Sequence, residues 1–564
     1  MKKEDVSLEW ICYILRFIYN ISIRKDFWYD LVIDIFMQGR SLMKTEKWAV
    51  IDIGSNTIRL VIYEKKNDAS LREVENIKTT ARLKRYLTKD GFLNSEGATL
   101  LIEILKGFND IIHFHQITII YCVATATIRQ AKNQQEIKTL VKEETGLEMK
   151  IFSEQEEAYH GFYAVSRSTS IDTGVTIDIG GGSTEITYFE NREMKYYHSF
   201  PFGVVSLKEK YMKGERITDE EKKQLISFIH HSFNKLPWLK NIQVPVVAIG
   251  GSARNIAQVD QNLKKYPIAG IHQYVMSLTD LEQVQQFLQG QTISQLEKVE
   301  GLSNDRADII VPSIEVFVQL CKFCGTAMFM FSRKGLRDGV SMRNSDKFKN
   351  APNTEQIITN SISELMADYR VMQVHAMHIG SLAEKLAAEI NLYDKFHNMK
   401  TLEKFILYGA QIYYLGEYID SDASSQHTFY LLANQSINGF MHKDRVKLAL
   451  IASFKNKTLL KQYIEPFQNW FSKDEMDDIR IAGAIVKVAS ALDASKRSIV
   501  RNVVFEQIDK CSLLLTIYCS GKAFVEQYET EKHIRQLEKA INMNITLKFV
   551  RMDTKGEKTL LQCT

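Results

Sequence analysis

At 564 residues the chain exceeds the roughly 250–300 residues at which a single core stops growing, so several domains are expected. Hydrophobic residues at 45% and charged residues at 25% are ordinary for a soluble globular protein, and 72 Lys and Arg against 68 Asp and Glu leave too little excess for general nucleic-acid binding. The seven cysteines, an odd number spread along the chain, exclude a disulfide scaffold and point to free thiols in a reducing, cytoplasmic compartment.

Residues 1–42 read as a leader. Its apolar blocks are broken by Glu9, Arg16, Asp30 and Asp34, too short and too charged to span a bilayer and without a secretory cleavage site, so no stable membrane insertion is expected. Met43 is read as the natural start; the alternative is an amphipathic helix that docks on a partner or a membrane surface.

The next unit, residues 43–170, opens with Trp48-Ala-Val-Ile running into Ile51-Asp-Ile-Gly-Ser-Asn-Thr57. A buried strand delivers a carboxylate, Asp52, to the end of a sheet, and a turn whose glycine lets backbone N–H groups approach an anion follows. The alternating Ile58-Arg-Leu-Val-Ile-Tyr completes a hairpin, unlike a Walker loop, which needs Gly-Lys-Ser/Thr and a helix. A helix over 95–115 and a strand over 117–125 follow, with Arg129 just past the strand's end, where ligands of open α/β sheets collect. Ser153 and Glu156 have capping-box spacing, which frees Glu157 to point elsewhere.

Residues 171–346 repeat the pattern. Ile177-Asp-Ile-Gly-Gly-Gly-Ser-Thr-Glu185 is a second strand-to-turn loop, and Val246-Val-Ala-Ile-Gly-Gly-Ser-Ala-Arg254 is a third glycine turn leading into a helix. Arg306 precedes an apolar helix that contains Cys321 and Cys324, a lone CxxC read as core. Two copies of Ile-Asp-Ile-Gly imply a duplicated domain that faces itself across a cleft. A polar linker over 347–354 leads to a helical domain over 355–500, and residues 501–564 form a small α+β domain with strands near Leu513 and Ile545 around a charged helix.

Asp52-Ile-Gly-Ser-Asn-Thr, Val123-Ala-Thr-Ala-Thr-Ile-Arg-Gln-Ala, Ser153-Glu-Gln-Glu-Glu-Ala, Asp178-Ile-Gly-Gly-Gly-Ser-Thr-Glu and Ala248-Ile-Gly-Gly-Ser-Ala-Arg, in this order, resemble the exopolyphosphatase/guanosine pentaphosphate phosphatase family. The resemblance implies an α/β fold of duplicated actin-like (ribonuclease H-like) domains and hydrolysis of a terminal phosphoanhydride, usually with Mg²⁺. It implies Glu157 as the water-activating carboxylate, Glu185 as the second catalytic carboxylate, and Asp52 and Asp178 as metal ligands. Gly54, Ser55, Asn56, Thr57, Gly180, Gly181, Gly182, Ser183 and Thr184 would hold phosphate, helped by Arg129, Arg254 and Arg306. The expected substrate is inorganic polyphosphate, with guanosine pentaphosphate as the alternative, and a homodimer is the family expectation. An actin-like kinase and a non-catalytic alarmone sensor are readings from other classes.

The helical region resembles the family's HD-like domain but departs from it. Tyr413 and Tyr414 stand where a histidine–carboxylate pair is expected, and Phe454-Lys-Asn-Lys457 replaces Tyr-His-Arg-Lys. His375, His378, His427 and His442 are therefore read as ordinary helix histidines without a metal centre. Lys443, Arg445 and Lys447 are candidates for a basic track along a polyanion, against the plainer reading of a solvated helix face.

Overall fold

Strand β1 (Thr45–Ile53) is apolar and buried from Trp48 to Ile51, which places it in the middle of a sheet. The computed structural model describes residues 45–66, 71–345 and 351–552 and the backbone of 558–560; the leader reading falls outside them. β1 pairs antiparallel with β2 (Thr57–Lys66), which pairs antiparallel with β3 (Arg72–Thr80). On its other side β1 runs parallel to β4 (Ile119–Ala124), and β4 runs parallel to β5 (Met149–Ile151). The order is β3-β2-β1-β4-β5. β3 escaped sequence reading because its alternation is charged, as suits an edge strand that must not template aggregation.

The second sheet repeats this wiring. Strands β6 (Gly174–Ile179), β7 (Thr184–Glu190) and β8 (Glu193–Phe200) form the antiparallel meander. β9 (Val246–Ile249) runs parallel to β6, and β11 (Met328–Phe331) parallel to β9. The series β8-β7-β6-β9-β11 is thus the first sheet's order again, with β10 (Tyr274–Ser277) added at the edge. Two such sheets make the fold actin-like, and we call the halves lobe I and lobe II. Cys321 and Cys324 are buried in the helix Ile310–Cys324, and burial pushes the Cys324 thiol up to about 12, as expected of core residues.

Each lobe lends a helix to the other. The helix Glu154–Ser166 leaves β5 and buries Phe162 and Val165 against Phe189, Val247 and Met330 of the second sheet. The helix Leu336–Ser345 leaves β11 and buries Val340 against Trp48, Val61 and Val123 of the first, where Trp48 Nε1 donates to Ser341 Oγ at 2.8 Å. The two helices cross at Gly339: a Cβ there would come within 1.9 Å of the His160 carbonyl oxygen, so only glycine permits this approach.

Beyond lobe II lies a helical domain, from Thr354–Asp368 to Lys473–Ala491. It shares one hydrophobic core with a small sheet ordered β12 (Val500–Asp509), β13 (Ser512–Cys519), β14 (Asn544–Met552) and β15 (Lys558–Leu560). β13 and β14 are parallel, connected by the helix Phe524–Ile541. The helical domain is bolted to lobe II by buried polar groups: His442 Nε2 lies 3.0 Å from the His272 carbonyl, and Gln273 Nε2 donates to the Phe440 carbonyl at 2.9 Å.

The basic-track reading is corrected here. Arg445 is fully buried and donates to the Gln435 carbonyl at 3.1 Å, and Lys447 is buried with its ammonium over the Phe405 ring and 3.5 Å from Glu475. Arg445 and Lys447 are packed inside the domain and are neither a track nor a solvated face, whereas Lys443 is exposed and pairs with Glu475 at 3.0 Å, as the plainer reading expects. At the degenerate metal motif, Tyr413 and Tyr414 stack at 4.1 Å, while His375 Nδ1 pairs with Asp493 at 2.8 Å. No helix among the described residues is long and apolar enough to cross a membrane.

Candidate active site

The two loops have the same local construction. In lobe I, Gly54 N donates to the Thr57 carbonyl at 3.1 Å; in lobe II, Gly180 N donates to the Ser183 carbonyl at 2.9 Å. Each turn follows an aspartate and returns into a strand in which the residue seven positions after the aspartate pairs with it: Asp52 opposite Arg59, and Asp178 opposite Glu185. The hairpins meet at their tips. A Cβ on Gly182 would lie 2.9 Å from Ser55 Oγ, and one on Gly181 3.3 Å from Asn56 Cβ, so the triple glycine is what lets the lobes close this far. Behind each loop a brace holds the carbonyls: Arg82 N on the Asn56 carbonyl at 2.9 Å, and Val204 N on the Gly180 carbonyl at 2.9 Å.

Four carboxylates converge on the cleft. Glu157 sits in the first turn of the crossing helix, just after the capping box of Ser153 and Glu156, and accepts from Arg129 Nη1 at 2.7 Å. The same guanidinium nitrogen donates to the Phe152 carbonyl at 3.0 Å, so Arg129 clamps Glu157 to the strand before it. Burial raises the Glu157 carboxyl to about 7; Arg129 opposes this, while Asp178 and Asp52 add to it. Glu185, on β7, is buried and accepts from Ser199 Oγ at 2.9 Å; burial and the nearby Glu157 and Asp178 hold its carboxyl well above the usual range. Asp178 is pushed up to about 6 by burial and by Asp52 across the cleft, against the pull of Arg337 and Arg306.

Arginines face these carboxylates. Arg306 is stacked on Gly251, where a Cβ would fall 2.2 Å from Nη2, and it donates to Ser252 Oγ at 3.2 Å. Arg254, in the first turn of the helix Gly250–Leu263, is lowered by burial and by Arg337, Arg333 and Arg306 around it. Two more members escaped sequence reading. Arg59 on β2 is pushed down to about 10 by burial and by Arg337 and Arg254, and it donates to Asn76 Oδ1 at 2.8 Å. Arg337 reaches from the start of the helix Leu336–Ser345 to Asp52 Oδ2 at 2.9 Å. Arg59 and Arg254 are thus lowered in part by the arginines around them, while Arg337, against its burial, is kept raised by Asp52; such a crowd of cations suits an anion.

Not every predicted residue turns its side chain to the cleft. The Thr184 hydroxyl is spent on the Phe202 carbonyl at 2.7 Å, leaving that residue its backbone alone. The remaining predicted residues, from Gly54–Thr57 and Gly180–Ser183 to Arg254 and Arg306, gather at this one place.

An actin-like pair of lobes with opposed glycine turns, buried carboxylates and converging arginines defines a phosphate-handling protein. The chain belongs to the Ppx/GppA phosphatase family: residues 61–348 match that family, and residues 357–518 match "Ppx/GppA phosphatase, domain III". It is 26% identical over 423 residues to a protein of Pseudoalteromonas translucida (strain TAC 125) named guanosine-5'-triphosphate,3'-diphosphate pyrophosphatase, covering 74% of this chain and 82% of that one. Among solved structures it is similar to the Aquifex aeolicus Ppx/GppA family member (26% identity, 54% of this chain, 99% of that chain, TM-score 0.49). It is also similar to an exopolyphosphatase from Cytophaga hutchinsonii (22% identity, 54% and 99%, TM-score 0.49).

Proposed function

We propose that the protein is an exopolyphosphatase, which releases orthophosphate from the end of inorganic polyphosphate. The observation that supports this most is the placement of Glu157: a carboxylate only 13% exposed, held by Arg129, beside the two loops but belonging to neither. Phosphoryl transfer to water has a loose transition state and needs an oriented water and neutralised oxygens more than a strong base. Glu157 would orient the attacking water and take its proton. Glu185, kept in place by Ser199, would hold the other side of that water. The turn amides of both loops, with Arg59, Arg254 and Arg306, would bind the terminal phosphates. Arg129, which donates to Glu157 and to the Phe152 carbonyl, would act on phosphate chiefly through Glu157.

Magnesium fits the donor set. Burial raises Asp178 and Asp52 across the cleft adds to it, a cost that a divalent cation would relieve. No group of three or more His, Cys, Asp or Glu among the described residues is spaced to hold a metal alone, and magnesium typically takes one or two carboxylates with water and phosphate oxygens. When bound, the ion would neutralise charge on the phosphate oxygens; Asp52 and Asp178 are the residues we assign to hold it.

Guanosine pentaphosphate is the second reading. It is favoured by the name of the Pseudoalteromonas relative and by a second cavity of about 800 Å³ between the lobes and the helical domain, which shares no lining residue with the catalytic cleft and sets amides and hydroxyls such as Asn360, Ser361 and Gln435 beside Arg72, Arg167 and Arg333. The test is orthophosphate release from long-chain polyphosphate and from guanosine pentaphosphate, wild type beside Glu157→Gln. Loss of about 10²–10⁴-fold in kcat is expected for the variant. Wild-type turnover by the variant on both substrates would overturn the role given to Glu157, and the faster wild-type substrate decides between the two readings.

A further inference from the structure

Arg337 belongs to lobe II by its place in the chain, yet its guanidinium ends on a carboxylate of lobe I, Asp52, at 2.9 Å. The segment that carries it is fixed at both ends. Asp338 is buried and accepts from Gly335 N at 3.0 Å and from Lys334 Nζ at 3.1 Å, and one turn later Ser341 takes the Trp48 bond. A guanidinium has five N–H donors, and among the described residues Asp52 is the one hydrogen-bond partner that Arg337 has. Its side chain keeps 27% exposure while Asp52 keeps 16%, so both remain open to the cleft. The neighbouring arginines differ in this respect: Arg306 is laid on Gly251 and Ser252, and Arg129 is spent on Glu157 and Phe152. Arg59 approaches the same spot from lobe I, as the cross-strand partner of Asp52.

We infer that Arg337 is a further phosphate-binding residue, positioned by Asp52: one arm of its fork holds Asp52 and the others take a phosphate oxygen in the cleft. The helix that carries it covers the first sheet, so Arg337 and Asp52 are held together within one packed unit. An anion in the cleft would therefore be gripped by a guanidinium already aimed by that bond. Asp52 would orient the fork and keep a cation next to the opposed Asp178. The inference rests on the phosphohydrolase reading for its biological meaning, but its test does not need turnover.

The test is calorimetric titration of inorganic tripolyphosphate in EDTA, which removes any metal contribution, with all variants in a Glu157→Gln background so that hydrolysis does not erode the signal. Arg337→Met should weaken binding about 10- to 100-fold, the size of a charge-assisted hydrogen bond. Arg337→Lys should recover part of the loss, since the charge survives and the fork does not. In an Asp52→Asn background, Arg337→Met should cost at least about threefold less than it does alone, because residues acting as one unit are not additive.

Ser341→Ala removes the bond that anchors the same helix to Trp48 without touching the cleft and should bind within about twofold of the parent. Binding within twofold for Arg337→Met, additivity with Asp52→Asn, or an equal loss in Ser341→Ala would each overturn the proposal. If Arg337→Met does not fold, Arg337→Lys decides, with unchanged affinity counting against it. Should wild type release no phosphate from any substrate while tripolyphosphate binding still depends on Arg337, the hydrolase reading falls and the role of Arg337 stands.

Discussion

The two hairpins at the cleft share a backbone and differ in charge. Both place an aspartate before a four-residue turn closed by the same N–H to carbonyl bond, and both return into a strand whose residue opposite the aspartate faces the site. In lobe I that residue is Arg59; in lobe II it is Glu185. On the reading proposed above, the symmetric part would hold: the turns a phosphate, the aspartates its metal ion. The asymmetric pair gives the cleft a direction, with a cation on one side for the anion and a carboxylate on the other beside Glu157.

Exchanging the asymmetric residues should separate the two tasks. Glu185→Gln keeps shape and hydrogen bonding to Ser199 but removes the charge, and kcat should fall about 10²–10⁴-fold with a smaller change in KM. Arg59→Gln should do the reverse, raising KM about 10- to 100-fold. Steady-state kinetics on polyphosphate chains distinguish them, and equal effects on kcat from both would mean the asymmetry is not functional.

The symmetric part is tested through its glycines. A Cβ on Gly203 would lie 2.3 Å from the Gly180 carbonyl oxygen, against 3.0 Å between a Cβ on Gly54 and the Thr57 carbonyl. Gly203→Ala should therefore cost about 1–3 kcal/mol by chemical denaturation and damage the second loop, with Gly54→Ala the milder of the two.

Glu157 gives a pH signature. Its carboxyl is raised by burial from 4.5 to about 7, so between those values the folded state holds a proton that the unfolded state has lost, and stability falls as pH rises through this window. Glu157→Gln should melt roughly 2–4 °C above wild type at pH 8, the gain vanishing below pH 4.5, as read by scanning calorimetry across pH. The smallest effect expected is at the cleft's rim, where Lys78 pairs with Asp305 across the lobes while both are partly exposed. Lys78→Ala should cost no more than about 1 kcal/mol in the same denaturation assay.

What the sequence made legible follows from how each residue is brought to the site. Loops I and II are local: aspartate, glycines and hydroxyls stand within a few positions, and their repetition announces both the duplication and the cleft. Arg59 was hidden inside an ordinary strand alternation, although counting seven residues from each aspartate sets it opposite Glu185 in the repeat, a signal that was available. Arg337 left no such trace, because its partner Asp52 lies 285 positions away and only the crossing helix joins them. Arg445 and Lys447 misled for the opposite reason. Charged residues at helical spacing normally face solvent, and here the helical domain has been packed over them.

The exchanged helices carry a consequence for the chain's history and for its dissection. Cut in the turn between residues 170 and 174, each half would keep a helix it cannot use and lack the one its own sheet requires, leaving Phe189 and Met330 in one fragment and Trp48 and Val61 in the other stripped of cover. Separate expression should give two insoluble polypeptides, and co-expression a reconstituted whole, in the manner of a split protein. On this wiring a half-length ancestor would have completed itself only by trading helices with a second copy, and fusion of the two genes would have made a permanent bond of that trade.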